Sequence, residues 1–236
     1  MSAEILEAPL QKDAPMPFLS HLDELRKRVT VSVAILSIGI AIGFYFSGPI
    51  LSFLARPVGY LVFMGPTEAF FTRLEVATFA GLILTLPLIL GQAYLFAAPA
   101  LSEAWKKRIW TMLPISYILF LIGSALAFFV AVPAALKFLL SYRTARIKPL
   151  IGLAHYLSFV VHLMLGCGLL FQFPLILYAL NHAGVLKKSV LRGYWRQIYL
   201  ACFIFPILVT PDPVSQIALA AFSILLFEGS FLLMRS

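Results

Sequence analysis

Six apolar runs divide this chain, and no other feature constrains its fold so tightly. They cover about 29–47, 70–98, 109–140, 155–180, 197–209 and 214–233 of the 236 residues. An apolar stretch of about 20 residues crosses a hydrocarbon layer as a helix, because a helix satisfies its own backbone groups where no water can. The second and third runs exceed that length, so they tilt or protrude. The fifth is short and ambiguous alone. It is closed by Thr210-Pro211-Asp212-Pro213, whose prolines forbid helix continuation and force a reversal. A short hairpin of two spans is the simplest reading, with the membrane thinned locally or the pair shielded by protein. Composition agrees: 61% of residues are hydrophobic and 12% charged, against about 25% charged in a soluble domain. So few charges cannot cover so apolar a core in water, and disorder needs the opposite balance. The expected fold is all-α, a polytopic membrane protein with six transmembrane helices.

Six spans leave both termini on one side. That side holds Lys12, Arg26, Lys27, Arg28, Lys106, Lys107, Arg108, Lys187, Lys188, Arg192, Arg196 and Arg235. The other holds Arg56, Arg73, Lys137, Arg143, Arg146 and Lys148, the last three forming a cluster against the trend. The bias places both termini in the cytoplasm. Trp105, Trp110 and Trp195 fall at cytoplasmic ends of spans, where an amphipathic ring anchors at the headgroups. The net charge of +8 thus belongs to a membrane surface and not to nucleic acid. The chain divides into a cytoplasmic N-terminal segment, 1–28, and a six-span domain, 29–236. The first 28 residues lack the apolar core of a cleaved signal peptide. Cys167 and Cys202 lie inside apolar runs and read as small buried hydrophobes, not a disulfide or metal site.

Few side chains are equipped for chemistry. In 17–28, Phe18, Leu22, Leu25 and Val29 form one helical stripe, with Ser20 a candidate cap. This reads as a short amphipathic helix on the cytoplasmic surface, feeding the first span. His21, Glu24 and Arg28 share its flank. Glu24 either offers a carboxylate to a basic ligand or pairs locally with Arg28, as Asp23 can with Lys27. In the following cytoplasmic loop Pro99 ends the second span, Ser102 can cap the next helix, and Glu103 stands at its N-terminus or pairs with Lys107. Inside the spans stand Gln172, Glu228 and His162. Polar groups there face a cavity or a partner. Gln172 is read either as helix–helix glue or as a partner contact, Glu228 as a snorkelling or contact group, and His162 as an interhelical hydrogen bonder. Gly39 and Gly43 make a small-xxx-small packing stripe. No zinc, nucleophile-elbow or Walker signature is present, so no enzyme activity, metal or cofactor is expected.

In order along the chain, several segments resemble the TatC family, the receptor subunit of the twin-arginine protein translocase. They are His-Leu-Asp-Glu-Leu-Arg-Lys-Arg at 21–28, Gly-Pro-Thr-Glu-Ala-Phe-Phe at 65–71 and Phe-Ala-Ala-Pro-Ala-Leu at 96–101. They continue with Leu-Ser-Phe at 157–159, Phe-Gln-Phe-Pro at 171–174, Thr-Pro-Asp at 210–212, Ser215-Gln216 and Phe227-Glu228. The resemblance implies a glove-shaped helical receptor in the bacterial cytoplasmic (inner) membrane, without catalytic activity. It implies binding of twin-arginine signal peptides of folded cargo through His21, Glu24, Leu25, Arg26, Phe96, Pro99 and Glu103. It also implies single-span partners of the TatA and TatB type, self-association in a larger complex, and transport driven by the proton gradient.

Three positions depart from the family's pattern. Trp105 occupies the column of the second recognition Glu, with Glu103 two residues earlier. Gln172 replaces an intramembrane acid. Glu75 stands where Lys is common, beside Arg73, which reads as a swapped local pair. The rival function is a proton- or ion-coupled small-molecule transporter, which six spans and buried polar residues also permit; such proteins often show inverted repeats and broken helices. No repeat is visible here, and Pro174 is the main candidate break.

Overall fold

The computed structural model describes residues 18–97, 103–142, 150–182, 192–210 and 212–233. The first helix, α1 (Phe18–Tyr45), runs without interruption through both the amphipathic segment and the first span. The amphipathic segment therefore feeds the first span without a break at residue 28. The reason is local: no Gly or Pro interrupts the stretch from Phe18 to Ile38, so nothing ends the helix before the membrane. A short second helix, α2 (Ser47–Ala55), follows at the extracytoplasmic end; the apolar pattern did not separate it from the first span.

The second span is α3 (Pro66–Ala97). The third is α4 (Glu103–Leu126), a π-helical turn (Ala127–Ala131) and α5 (Val132–Ser141) in one continuous rod. The fourth breaks as expected near Pro174: α6 (Leu153–Leu170) ends in a turn at Phe171 and Gln172, and α7 (Phe173–His182) resumes. Proline at the second position of α7 has no N–H to continue the ladder of α6. The last pair is α8 (Trp195–Val209) and α9 (Pro213–Leu233). At 1.5 Å per residue α8 is only about 22 Å long, shorter than the bilayer core, as its sequence length implied. Six spans are accounted for, and both cysteines are free and buried.

Close backbone approach holds the bundle together. The most extensive helix pairing is α1 with α3. A Cβ added to Gly39 would lie 2.8 Å from the Gly81 carbonyl oxygen, and one added to Gly43 would collide with the Ala77 carbonyl. The small-residue stripe thus works as a packing device. Against α6, α4 uses the same logic: Gly123 admits Phe171, and Gly168 admits Phe120. Polar bonds add to it, with the Ser124 hydroxyl donating to the Met164 carbonyl at 3.1 Å. The core centres on α6, whose Leu157, Val160 and Leu163 are fully buried.

The extracytoplasmic end is pinned by a carboxylate. Glu68 accepts the Met64 N–H at 2.6 Å and the Ala154 N–H at 2.9 Å, capping the first turn of α6. Beside it Val62 bridges Gly152, with Leu153 N–H donating to the Val62 carbonyl at 2.9 Å. These contacts start α3 and α6 at the same level. Glu75 does not pair with Arg73. Residues two apart point to different sides of a helix, and Glu75 instead faces His162 of α6 at 3.6 Å.

Candidate functional site

The candidate site lies at the cytoplasmic end of the α1–α3 pair. The two helices run antiparallel, and Gly39 opposite Gly81 sets their register. Eleven residues further toward the cytoplasm on each (28 from 39, 92 from 81), Arg28 meets Gln92: its Nη1 donates to Gln92 Oε1 at 3.1 Å. One turn beyond, Glu24 accepts from Arg28 Nη2 at 3.3 Å. The local pairing allowed by the sequence is therefore present. Both side chains are partly sheltered, 27% and 21% exposed, and Arg28 Nε is buried with no hydrogen-bond partner. At the outer edge His21 stacks on Phe96, ring centroids 4.4 Å apart.

Between the helices lies a groove of about 380 Å³ lined by Leu25, Arg28, Val29, Ser32, Gln92 and Phe96, among others. Its floor is apolar, with Arg28, Gln92 and Phe96 among its lining; the Glu24 carboxylate adjoins it through Arg28 and the His21 ring through Phe96. A carboxylate accepts a guanidinium through two parallel bonds, and an aromatic face attracts the same cation. The arrangement suits an extended peptide with arginine beside apolar residues.

Four of the seven proposed recognition residues meet here: His21, Glu24, Leu25 and Phe96. Arg26 is on the exposed side of α1, its carbonyl accepting from the Thr30 hydroxyl at 2.8 Å. Pro99 lies outside the described residues. Glu103 opens α4, with its side chain outside the described set, as is that of Trp105. Sequence reasoning missed Gln92. A signal was available: it is a lone amide within an apolar run, one helical turn before Phe96.

The intramembrane residues lie elsewhere. Gln172 is 7% exposed. Its Nε2 donates to the Ser116 carbonyl at 2.9 Å, while the Ser116 hydroxyl donates to its Oε1. Both ends of the amide are thus engaged by one residue of α4, the helix–helix bonding that the sequence allowed. This is the structural alternative of the two readings the sequence offered, with one amide N–H and the carbonyl oxygen used inside the bundle. Glu228 is exposed near the cytoplasmic end of α9 and accepts from the Tyr199 hydroxyl of α8. It lines a 330 Å³ concavity with Arg192, Trp195 and Phe231. Among the described residues no group of His, Cys, Asp and Glu is arranged to hold a metal ion.

The profile of the family described as Sec-independent protein translocase protein (TatC) matches residues 20–221. The protein of that name from Carboxydothermus hydrogenoformans is 34% identical over 230 residues, covering 95% of each chain. Its counterpart in Aquifex aeolicus is 33% identical, covering 92% of this chain and 94% of that one. Among solved structures, a crystal structure of a twin-arginine translocase receptor, TatC, superposes with a TM-score of 0.82. It is 32% identical and covers 90% of this chain and 97% of that chain.

Proposed function

The chain belongs to the TatC family of Sec-independent protein translocase proteins, and from that premise we propose that its α1–α3 groove receives twin-arginine signal peptides. It is a multi-pass membrane component of a protein translocase and not an enzyme. The observation that carries the proposal is convergence. Glu24 and His21 from α1 meet Gln92 and Phe96 from α3 on one rim, although some 70 residues separate them in sequence. The signal's arginine is taken by Glu24 against the aromatic pair, and its apolar residues lie along the groove floor. Glu103, at the start of α4, supplies a second, weaker acid. Recognition at the cytoplasmic face of the bacterial inner membrane is followed by recruitment of TatA- and TatB-type single-span subunits. The proton gradient drives transport of the folded cargo.

The test is affinity for a synthetic twin-arginine signal peptide. Glu24→Ala weakens binding by more than about 1.4 kcal/mol, roughly tenfold, since truncating a sheltered charge pair costs at least that much. Glu103→Ala weakens it less. Unchanged affinity in a folded Glu24→Ala protein returns Glu24 to a purely local partner of Arg28.

A further inference from the structure

The carboxylate at the edge of the groove is already engaged. Glu24 accepts from Arg28 Nη2 at 3.3 Å, and Arg28 itself lines the groove. Before a peptide arrives, Glu24 is therefore held by the group that a twin-arginine signal would bring, a guanidinium. The internal pair is a weak form of that contact. Charge-assisted N–H bonds to a carboxylate close to about 2.7–2.9 Å, and the strong guanidinium pairs use two parallel donors. Here one nitrogen meets one oxygen at a longer distance. Nη1 is turned to Gln92 Oε1 at 3.1 Å, and Nε is buried without a hydrogen-bond partner. A buried donor left unsatisfied is costly. A guanidinium shared in this way between Glu24 and Gln92 does not grip the carboxylate with its fork.

Helix geometry makes the pair reversible. Glu24 and Arg28 stand one turn apart on α1, so they meet and part by side-chain rotation, with no change of backbone. Both side chains are partly open to water, so neither charge is stranded when the bond opens. Gln92 comes from α3 and holds Nη1 independently of Glu24. Arg28 can therefore swing off the carboxylate about a bond that stays made, releasing Nη2 to water. The cost of opening is the same for every ligand. A cation that touches Glu24 at one point gains little against that cost, whereas an arginine that closes two parallel bonds gains more than the internal pair loses. An internal competitor of this kind raises the threshold that a ligand must pass.

We propose that Arg28 is an internal stand-in for the signal's arginine. It occupies Glu24 in the unliganded chain and yields it to the peptide, pivoting on Gln92 as it leaves. This rests on the groove being the signal-peptide site. Arg28 is then a specificity-determining residue that acts against binding, whereas Glu24, His21 and Phe96 act for it.

The test is affinity for a synthetic twin-arginine signal peptide, measured with the full-length protein in nanodiscs. Partly exposed ion pairs hold by a factor of up to about five, so Arg28→Ala and Arg28→Gln bind the peptide about two- to fivefold more tightly than the parent. Arg28→Gln keeps part of the stem and decides the matter if Arg28→Ala does not fold. In the Glu24→Ala background the same substitutions bring no gain, because no carboxylate is left to compete for. A gain that persists in that background reflects only the removal of a positive charge and overturns the proposal. Weaker or unchanged binding in folded Arg28→Gln, with Glu24 intact, also overturns it and makes Arg28 a support that orients the carboxylate. Failure of the groove reading looks different: Glu24→Ala alone then leaves affinity unchanged, and both inferences fall together.

Discussion

Replacing Gly81 by alanine tests whether close backbone contact between α1 and α3 holds the site together. The new Cβ would lie 2.6 Å from both the Gly39 carbonyl carbon and the Ile40 nitrogen. Carbon contacts settle at about 3.5–4.0 Å, so the helices must part by roughly 1 Å. The obstacle is backbone, and no side chain can rotate away from it. Overpacking of this kind costs about 1–3 kcal/mol. Alanine also returns up to about 1 kcal/mol of helix propensity, which would obscure the result without a reference. Gly91 supplies one, since on the same helix its added Cβ meets nothing within 4 Å. The propensity gain is common to both substitutions, so their difference isolates the packing cost of about 1–3 kcal/mol. In detergent melts, Gly81→Ala unfolds below the parent and Gly91→Ala at or above it. The parted helices also stretch the 3.1 Å Arg28–Gln92 bond, so signal-peptide affinity falls in Gly81→Ala. Equal shifts of the two melting curves in one direction would refute the packing argument.

Gln172→Leu removes both bonds to Ser116 and leaves the buried Ser116 hydroxyl with the Tyr94 side chain as its remaining partner, a loss of about 1 kcal/mol per hydrogen bond. The variant should melt lower in detergent, with peptide binding lost only in proportion to folded protein; a stable variant with normal transport would contradict the clamp. Orientation is checked by cysteine labelling, because the native Cys167 and Cys202 are buried. An impermeant maleimide applied from outside should reach Tyr60→Cys, 92% exposed in the parent, and should not reach Tyr194→Cys, 58% exposed. External labelling at position 194 would invert the topology.

Span number and order were legible because a bilayer imposes a length scale that a sequence shows directly. The break before Pro174 and the short final hairpin were legible too, since proline removes a donor wherever it sits. Other features were not. α2 was hidden within the apolar pattern at the extracytoplasmic end. The clamp at Gln172 needed its partner: Ser116 is an ordinary serine until α4 and α6 are packed. The site was half visible. His21, Glu24 and Phe96 were found through local motifs, but Gln92 joins them only through a register set at Gly39 and Gly81. Glu75 was assigned to Arg73 because neighbours in sequence are easily mistaken for neighbours in space.

The most direct measurement of the central claim is binding of a signal peptide with paired arginines, compared with the same peptide carrying paired lysines. Lysine retains the charge but cannot present two parallel donors to a carboxylate. The account predicts that the parent protein binds the arginine peptide and loses most of that affinity with lysine, whereas Glu24→Ala binds both about equally weakly. Equal binding of the two peptides by the parent protein would contradict it.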